Sequence, residues 1–211
     1  DNFEKNCVMT SIITGDIIHS QKISPSLWLD ILKAQLNMVG KTPETWEIFR
    51  GDSFQVEIEN PSDALKVAIM IKASIKCIKQ IDVRMAIGIG DKTHNAPKIT
   101  ESNGSAFVNS GEQFEKMKKE KLNLAVSSSS EKFNRDMNLF LRLASIAMDN
   151  WSANSAQTVK AVLENPEKSQ KELGELLGIK QNAISNRLKR AYFEEIKALL
   201  EIYKSKIQEL I

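Results

Sequence analysis

The chain of 211 residues has little of what marks secreted, membrane or fibrous proteins. Its two cysteines, Cys7 and Cys77, lie far apart, so neither a disulfide framework nor a zinc site is indicated. Five prolines and nine glycines exclude a collagen-like or low-complexity chain. No apolar run approaches the roughly 18 residues of a membrane span, and the first residues do not resemble a signal peptide. These absences predict a soluble protein of the reducing cytoplasm, with no membrane partner.

The chain also lacks an excess of charge of one sign. Lys and Arg number 29 against 27 Asp and Glu, which gives a net charge of +2. With 42% hydrophobic and 27% charged residues, this is a globular composition that excludes general disorder. Binding to nucleic acid would therefore require local clustering of basic residues.

The first part of the chain shows strand and helix patterns in a recognisable order. Residues 7–18 predict a strand, and Ser24 with Pro25 predicts the start of a helix that ends near Gly40. Further predictions are a hairpin of strands over 46–49 and 54–58, a helix from 60–63 to about 78, and a strand over 82–90. This order is typical of a ferredoxin-like antiparallel sheet with helices on one face.

The pattern then predicts a second, helical part. A polar loop over 91–109, a helix over 111–119, a strand over 122–127 and a mostly helical connector over 131–151 are expected. Short helices and tight turns follow, which places a domain boundary between 140 and 152. The predicted fold is therefore α+β, with a sheet domain over 1–140 and a helical connector with an all-α domain over 141–211.

Two aspartates are expected at one edge of the predicted sheet. Asp16 ends the first strand and Asp52 lies in the hairpin turn, and in a split strand-helix-strand unit these two ends share an edge. Mg²⁺ takes one or two protein carboxylates and completes its shell with phosphate and water. The pair therefore predicts a site for Mg²⁺ together with the phosphates of a ligand. Alternatively, both side chains only bond turn amides, as Asp commonly does.

A second motif lies near the C-terminus. Ser169 and Glu172 predict a helix capping box, Gly178 suits a turn with positive φ, and Gly174 leaves room where two helices cross. The pattern is similar to bacterial helix-turn-helix regulators.

The second helix of this motif is basic and polar on its outward side. Between Glu175 and Glu194 there are four basic residues and no acidic one. Asn and Gln can pair with adenine edges, and Lys and Arg with phosphate or guanine, as in a major-groove recognition helix. The predicted DNA-contacting residues are Lys180, Gln181, Asn182, Ser185, Asn186, Arg187, Lys189 and Arg190. The alternative is a helical bundle that serves protein contacts.

Five short segments, taken in order, carry a resemblance to known families. They are TGDII at 14–18, IFRGDSF at 48–54, VRMAIGIG at 83–90, GSAFVNSGEQF at 104–114 and LNLAVSS at 122–128. This order resembles class III nucleotidyl cyclases, and RGDSF is similar to the GGDEF hairpin of diguanylate cyclases. Over nearly its whole length the chain resembles the SatD family of bacterial proteins, which joins a nucleotidyl cyclase-like domain to a helix-turn-helix domain.

The cyclase resemblance implies roles for individual residues. Asp16 and Asp52 would bind the metal together with the backbone carbonyl of Ile17. Asn109 would orient a ribose. Apart from the resemblance, position alone makes Ser20 and Arg50 candidates to contact phosphate, because Ser20 lies in the loop after the first aspartate and Arg50 lies beside the turn of the second.

Two positions depart from the cyclase pattern. The arginine expected four residues after the asparagine is Gln113, and the purine-selecting lysine is Ile48. Because such an arginine can contribute ~10³ or more to the rate of phosphoryl transfer, ordinary cyclase activity is in doubt. Arg50 or the lysines of the third predicted helix, Lys116, Lys118 and Lys119, are the candidates to replace it.

Three interpretations of function remain open. The leading one is a DNA-binding transcriptional regulator whose first domain binds a metal-nucleotide or another phosphorylated ligand. The second is a nucleotidyl-transfer enzyme that uses the two aspartates. In the third, the first domain only mediates dimerisation. Helix-turn-helix proteins commonly bind DNA as dimers, so a homodimer is expected.

Overall fold

The computed structural model describes residues 9–210, which form an α+β fold as predicted. Five strands of these residues make one mixed sheet: β1 (Met9–Ile18), β2 (Trp46–Phe49), β3 (Ser53–Ile58), β4 (Asp82–Asp91) and β5 (Leu124–Ser127). Eight α-helices of the same residues are α1 (Leu29–Asn37), α2 (Ala64–Lys76), α3 (Ser105–Glu120), α4 (Glu131–Met148), α5 (Ala153–Glu164), α6 (Gln170–Leu177), α7 (Gln181–Arg190) and α8 (Phe193–Gln208).

The sheet has the strand order β2-β3-β1-β4-β5. The pairs β2–β3, β3–β1 and β1–β4 are antiparallel, and β4–β5 is parallel. In this register Asp16 lies opposite Ser53 on one side and Arg84 on the other. The amide of Ile17 donates to the carbonyl of Asp52 at 3.1 Å, so the end of β1 and the β2–β3 turn meet at one edge.

Helices cover both faces of the sheet, so the prediction of helices on one face only is wrong. Residues of α1, α2 and α4 share one core with Ile13 of β1, whereas Ile12 packs on the opposite face with α3. The contact with α3 is close, since a Cβ on Gly88 would lie 2.2 Å from the carbonyl oxygen of Ala106. Small residues at this crossing let the helix lie directly on the sheet.

Helix α3 begins at Ser105, six positions before the predicted start at 111, so the predicted loop over 91–109 is shorter than expected. Its first turns are rich in residues of modest helix propensity, which suggested a loop. Tertiary packing decides otherwise, because these small residues fit against Gly88 and Gly90 of β4. The predicted strand start at Cys7 lies outside the described residues.

The C-terminal helices join the core of the sheet rather than standing apart. Residues of α5 and α8 belong to the same hydrophobic cluster as α2 and β1. The hydroxyl of Tyr203 in α8 donates to the carbonyl of Pro61 at 3.1 Å, and Trp151 Nε1 donates to the carbonyl of Ala191 at 3.0 Å. The domain boundary between 140 and 152 stays a prediction, and this range covers the second half of α4 and the turn after it.

A buried ion cluster connects the sheet to α4. Lys72 of α2 is fully buried, and its Nζ lies 2.8 Å from Asp82 Oδ1 and 2.7 Å from Asp149 Oδ1. Lys76 Nζ lies 3.2 Å from Asp82 Oδ2 and donates to the carbonyl of Asp149 at 2.6 Å. The cluster therefore joins α2, the start of β4 and the end of α4.

None of the helices between residues 9 and 210 is long and apolar enough to cross a membrane.

Candidate functional site

The two predicted metal-binding aspartates do lie at one edge of the sheet. Asp16 Oδ2 is 3.5 Å from Arg84 Nη1 of the neighbouring strand. Asp52 Oδ2 accepts a hydrogen bond of 2.5 Å from the hydroxyl of Ser20, which follows β1 and is buried. Ser20 therefore positions the turn carboxylate, and its hydroxyl is already engaged.

The environment of Asp16 disfavours its charge. Burial raises the pKa of this carboxyl above its ordinary value, and the charges of Asp52 and Glu115 act in the same direction. The cations of Arg84 and Lys118 oppose this without cancelling it. In addition, Asp16 Oδ1 is buried without a hydrogen-bond partner. An additional cation at this edge would satisfy the free oxygen and remove the cost of the charge.

Side chains of α3 and of the hairpin turn complete the surroundings of this edge. Lys118 Nζ donates to Glu115 Oε1 at 2.8 Å, and this bond, with the charges of Arg50 and Lys119, holds the pKa of Glu115 below its ordinary value. Arg50 is thus close enough to α3 to act on it. The edge combines two carboxylates with cations from three elements, as a site for a metal-bound phosphate would need.

Asn109 does not lie with this group. Its Nδ2 donates to the carbonyl of Ile89 at 2.8 Å, and Ile89 pairs with Ser11. Ser11 is five positions from Asp16 along β1, roughly 17 Å at ~3.4 Å per residue. Within one chain, the predicted ribose-orienting residue is therefore at the other end of the sheet from the two aspartates.

Arg84 is the residue that sequence reasoning missed. It pairs with Asp16, and its Nε is buried without a hydrogen-bond partner. Only the register of β1 against β4 brings the two together, and the sequence does not contain that register in any local pattern. The cyclase resemblance expects an arginine at position 113 of a helix, whereas here the cation beside Asp16 is Arg84 of strand β4.

Asp16→Asn should raise the stability of the ligand-free protein at pH 7. Because the pKa of Asp16 is raised in the folded state, there is a pH range in which the folded protein keeps this proton and the unfolded chain has lost it. The stability of the folded protein falls as the pH rises through that range. A substitution that stabilises a protein in this way typically raises its free energy of unfolding by about 0.5–2 kcal/mol. Thermal melts from pH 3 to 7 check this, and the gain should shrink toward pH 3. A variant less stable than wild type at pH 7 would contradict the account.

The second predicted motif forms two helices joined by a tight turn. Ser169 Oγ accepts from the amide of Glu172 at 3.3 Å, and Glu172 Oε2 accepts from the amide of Ser169 at 2.8 Å, so the predicted capping box is present. Gly178 ends α6 with a φ of 65°, as predicted. A Cβ on Gly174 would lie 2.6 Å from the carbonyl oxygen of Ile179, so this position requires glycine.

Gly174→Ala should lower the free energy of unfolding by about 1–3 kcal/mol, the usual cost of overpacking. The new methyl group would meet a backbone carbonyl, which cannot rotate away. Urea unfolding of the variant beside Gly111→Ala, whose Cβ would meet no atom within 4 Å, measures the difference. Equal stability of the two variants would show that the turn is not tightly packed.

Helix α7 presents its polar side chains to solvent. Ile184 and Leu188 are buried, whereas seven of the eight predicted contact residues on and directly before α7 are exposed, among them Lys180, Gln181, Asn182, Ser185, Asn186 and Lys189. Arg190 is also exposed and Arg187 is half-buried. None of the ion pairs formed within residues 9–210 involves a basic residue of this helix. The four positive charges are therefore free for an external partner.

In the part of the chain that the structure describes, no three His, Cys, Asp or Glu side chains lie close enough together to hold a metal ion by themselves. A cation at Asp16 and Asp52 would thus depend on oxygen atoms from a bound molecule or water.

The chain was compared with known proteins and families. No curated protein matches it. The model of the SatD family matches residues 10–206, which is nearly the whole length. The chain therefore belongs to the SatD family.

Proposed function

We propose that the protein is a DNA-binding transcriptional regulator whose sheet domain binds a metal-nucleotide or another phosphorylated ligand. One observation carries the DNA part: Lys180 and the three basic residues of α7 form no ion pair with the rest of the described chain, and they lie beside exposed Gln181, Asn182 and Asn186. Amide side chains pair with base edges and cations with phosphates, so the composition suits specific recognition in the major groove.

The geometry of α6 and α7 supports this interpretation. A capped helix, a glycine turn with positive φ and a second helix with a solvent-facing polar side are the parts of a helix-turn-helix. The amide of Ile179 donates to the carbonyl of Gly174 at 2.8 Å, which fixes the turn. We therefore propose that α7 is a recognition helix.

The strand order supports a ferredoxin-like, nucleotidyl cyclase-like identity for the first domain. In β2-β3-β1-β4 the two outer strands are each antiparallel to their inner neighbours, as in the split strand-helix-strand fold. Asp16, Asp52 and the carbonyl of Ile17 would hold Mg²⁺ or Mn²⁺, and Arg50, Arg84 and Lys118 would neutralise phosphate charge. The metal would supply charge neutralisation for the ligand's phosphates.

A thermal shift assay tests the ligand-binding part. With Mg²⁺ and each nucleoside triphosphate at ~100 times Kd, the stabilisation should be ~2.7 kcal/mol, or about 5–10 °C for a chain of this size. Asp52→Asn should abolish the shift, and Asp30→Asn, an exposed aspartate on α1, should retain it. If no nucleotide or metal shifts the melting temperature of the wild type, the first domain has a structural role.

The DNA-binding part is tested by titration of labelled genomic fragments at ~0.1 M salt. Specific fragments should bind at least about 10³-fold more tightly than random DNA of the same length. Uniform weak binding to all fragments would contradict the proposal.

A second candidate function is nucleotidyl transfer, favoured by the cations that Arg84 and Lys118 place near Asp16. These groups offer the charge neutralisation that Gln113 cannot. Incubation of each nucleoside triphosphate with the protein and Mg²⁺ or Mn²⁺ decides between the two. New product that disappears in Asp16→Asn would establish an enzyme, whereas ligand binding without turnover would favour a sensor.

A further inference from the structure

Helix α4 has two apolar faces, and only one of them is covered. The core face contains Phe133, Met137, Leu141 and Met148. On a second face, roughly 150° away around the axis at 3.6 residues per turn, Leu139, Leu143 and Ile146 are 55%, 58% and 69% exposed. Single exposed leucines are ordinary, but an aligned stripe indicates a face that is buried in the functional state.

Helix α8 continues this apolar surface. Together α4 and α8 form a groove of about 700 Å³, with Phe140 and Leu199 among its lining residues. Tyr192 and Ile202, also in the groove, are 57% and 41% exposed. Leu143, Ile146, Tyr192 and Ile202 therefore line one apolar groove. Leu139 lies one turn before Leu143 on the same face of α4.

The composition of the patch suits the centre of a homodimer interface. In homodimers about 65% of the interface is apolar. Four large aliphatic side chains and one tyrosine, each at least 41% exposed, provide such an apolar centre. Arg142 and Asn150 beside the stripe are exposed and would form a polar rim.

The charges of the groove suit a second copy of the same surface. In a two-fold interface every residue meets the same patch on the partner, so a face of one charge sign would repel itself. Arg190 and Glu195 both line this groove, so it carries both signs. The exposed face of α7 carries positive charges only, together with Lys180 before it, and is not self-complementary in this way.

We propose that the α4–α8 groove is the interface through which two copies of this chain pair about a two-fold axis. Arg190 lies both in the groove and at the end of α7. Pairing at this face would therefore combine two α7 helices in one assembly, as reading two DNA half-sites requires. That link to DNA rests on the proposed function, whereas the pairing itself does not.

Light scattering after gel filtration of the full chain without DNA tests the pairing. The wild type at tens of micromolar should have twice the chain mass of 23.7 kDa. The double variant Leu143→Glu and Ile146→Glu should weaken dimerisation at least 100-fold and elute as a monomer. Val108→Glu, which changes a 50% exposed apolar residue on α3, should remain dimeric.

Thermal melts of the variants separate loss of pairing from loss of folding, and Leu139→Glu, one turn along the same stripe, serves as a second variant. A monomeric wild type, or a double variant that stays dimeric, would overturn the proposal. Dissociation by Val108→Glu alone would place the interface on α3 and would also overturn it. Because DNA is absent, these results are independent of whether α7 binds DNA.

Discussion

Replacement of Gln181, Asn182 and Arg187 by alanine should lower the affinity for a specific DNA fragment by roughly 100-fold or more. Each base contact typically contributes about 1–3 kcal/mol, and contributions of separate positions roughly add. Gln181 and Asn182 are exposed and Arg187 is half-buried, whereas Ile184 and Leu188 form the buried side of α7. The expected loss is therefore in DNA binding, with the melting temperature nearly unchanged. Fluorescence anisotropy at ~0.1 M salt measures it.

A matched control places the same kinds of change elsewhere. Lys33 and Asn37 on α1 and Gln208 at the end of α8 are exposed, and their joint replacement by alanine should leave the affinity unaltered. By contrast, Lys180→Ala should weaken binding to all sequences about equally and reduce the salt dependence by about one ion. If the α7 triple variant binds as tightly as the control, α7 does not read DNA.

Lys72→Met should lower the free energy of unfolding by about 3 kcal/mol. Removal of one partner of a buried ion pair typically costs 3–5 kcal/mol, because it leaves the other charge without compensation. Here Lys72 is fully buried, while Asp82 and Asp149 retain 14% and 33% side-chain exposure, so the lower end of the range applies. Urea unfolding of the two proteins at pH 7 gives the difference.

The control for this variant is Lys79→Met, since Lys79 follows α2 and is exposed. It should change stability by less than about 0.5 kcal/mol. Adding Asp82→Asn and Asp149→Asn to Lys72→Met should recover part of the loss, because the uncompensated charges are then removed. A loss below 1 kcal/mol in Lys72→Met would show that the cluster does not hold the sheet and α4 together.

Features with a local cause were predictable from the sequence. The capping box of Ser169 and Glu172 and the turn at Gly178 depend on a few neighbouring residues, and they are present. The position of Asp16 and Asp52 at one edge followed from the order of strands and helices, because that order restricts the possible chain paths.

Features that depend on distant contacts were not predictable. The start of α3 follows from its close packing on Gly88 and Gly90. The pairing of Arg84 with Asp16 follows from strand register, and the burial of Lys72 follows from the docking of α4. In each case the deciding partner lies more than ten positions away along the chain, where neither periodicity nor spacing carries a signal.

The most direct test is to measure where α7 lies on the bound DNA. An iron chelate attached at Ser185→Cys, in a chain with both native cysteines replaced by serine, cleaves the nearest DNA by hydroxyl radicals. The account predicts strong cleavage confined to the bases of the specific site, and none from a chelate at Lys33→Cys on α1. Absence of cleavage from position 185 in a chain that still binds the fragment would contradict the assignment of α7 as the recognition helix.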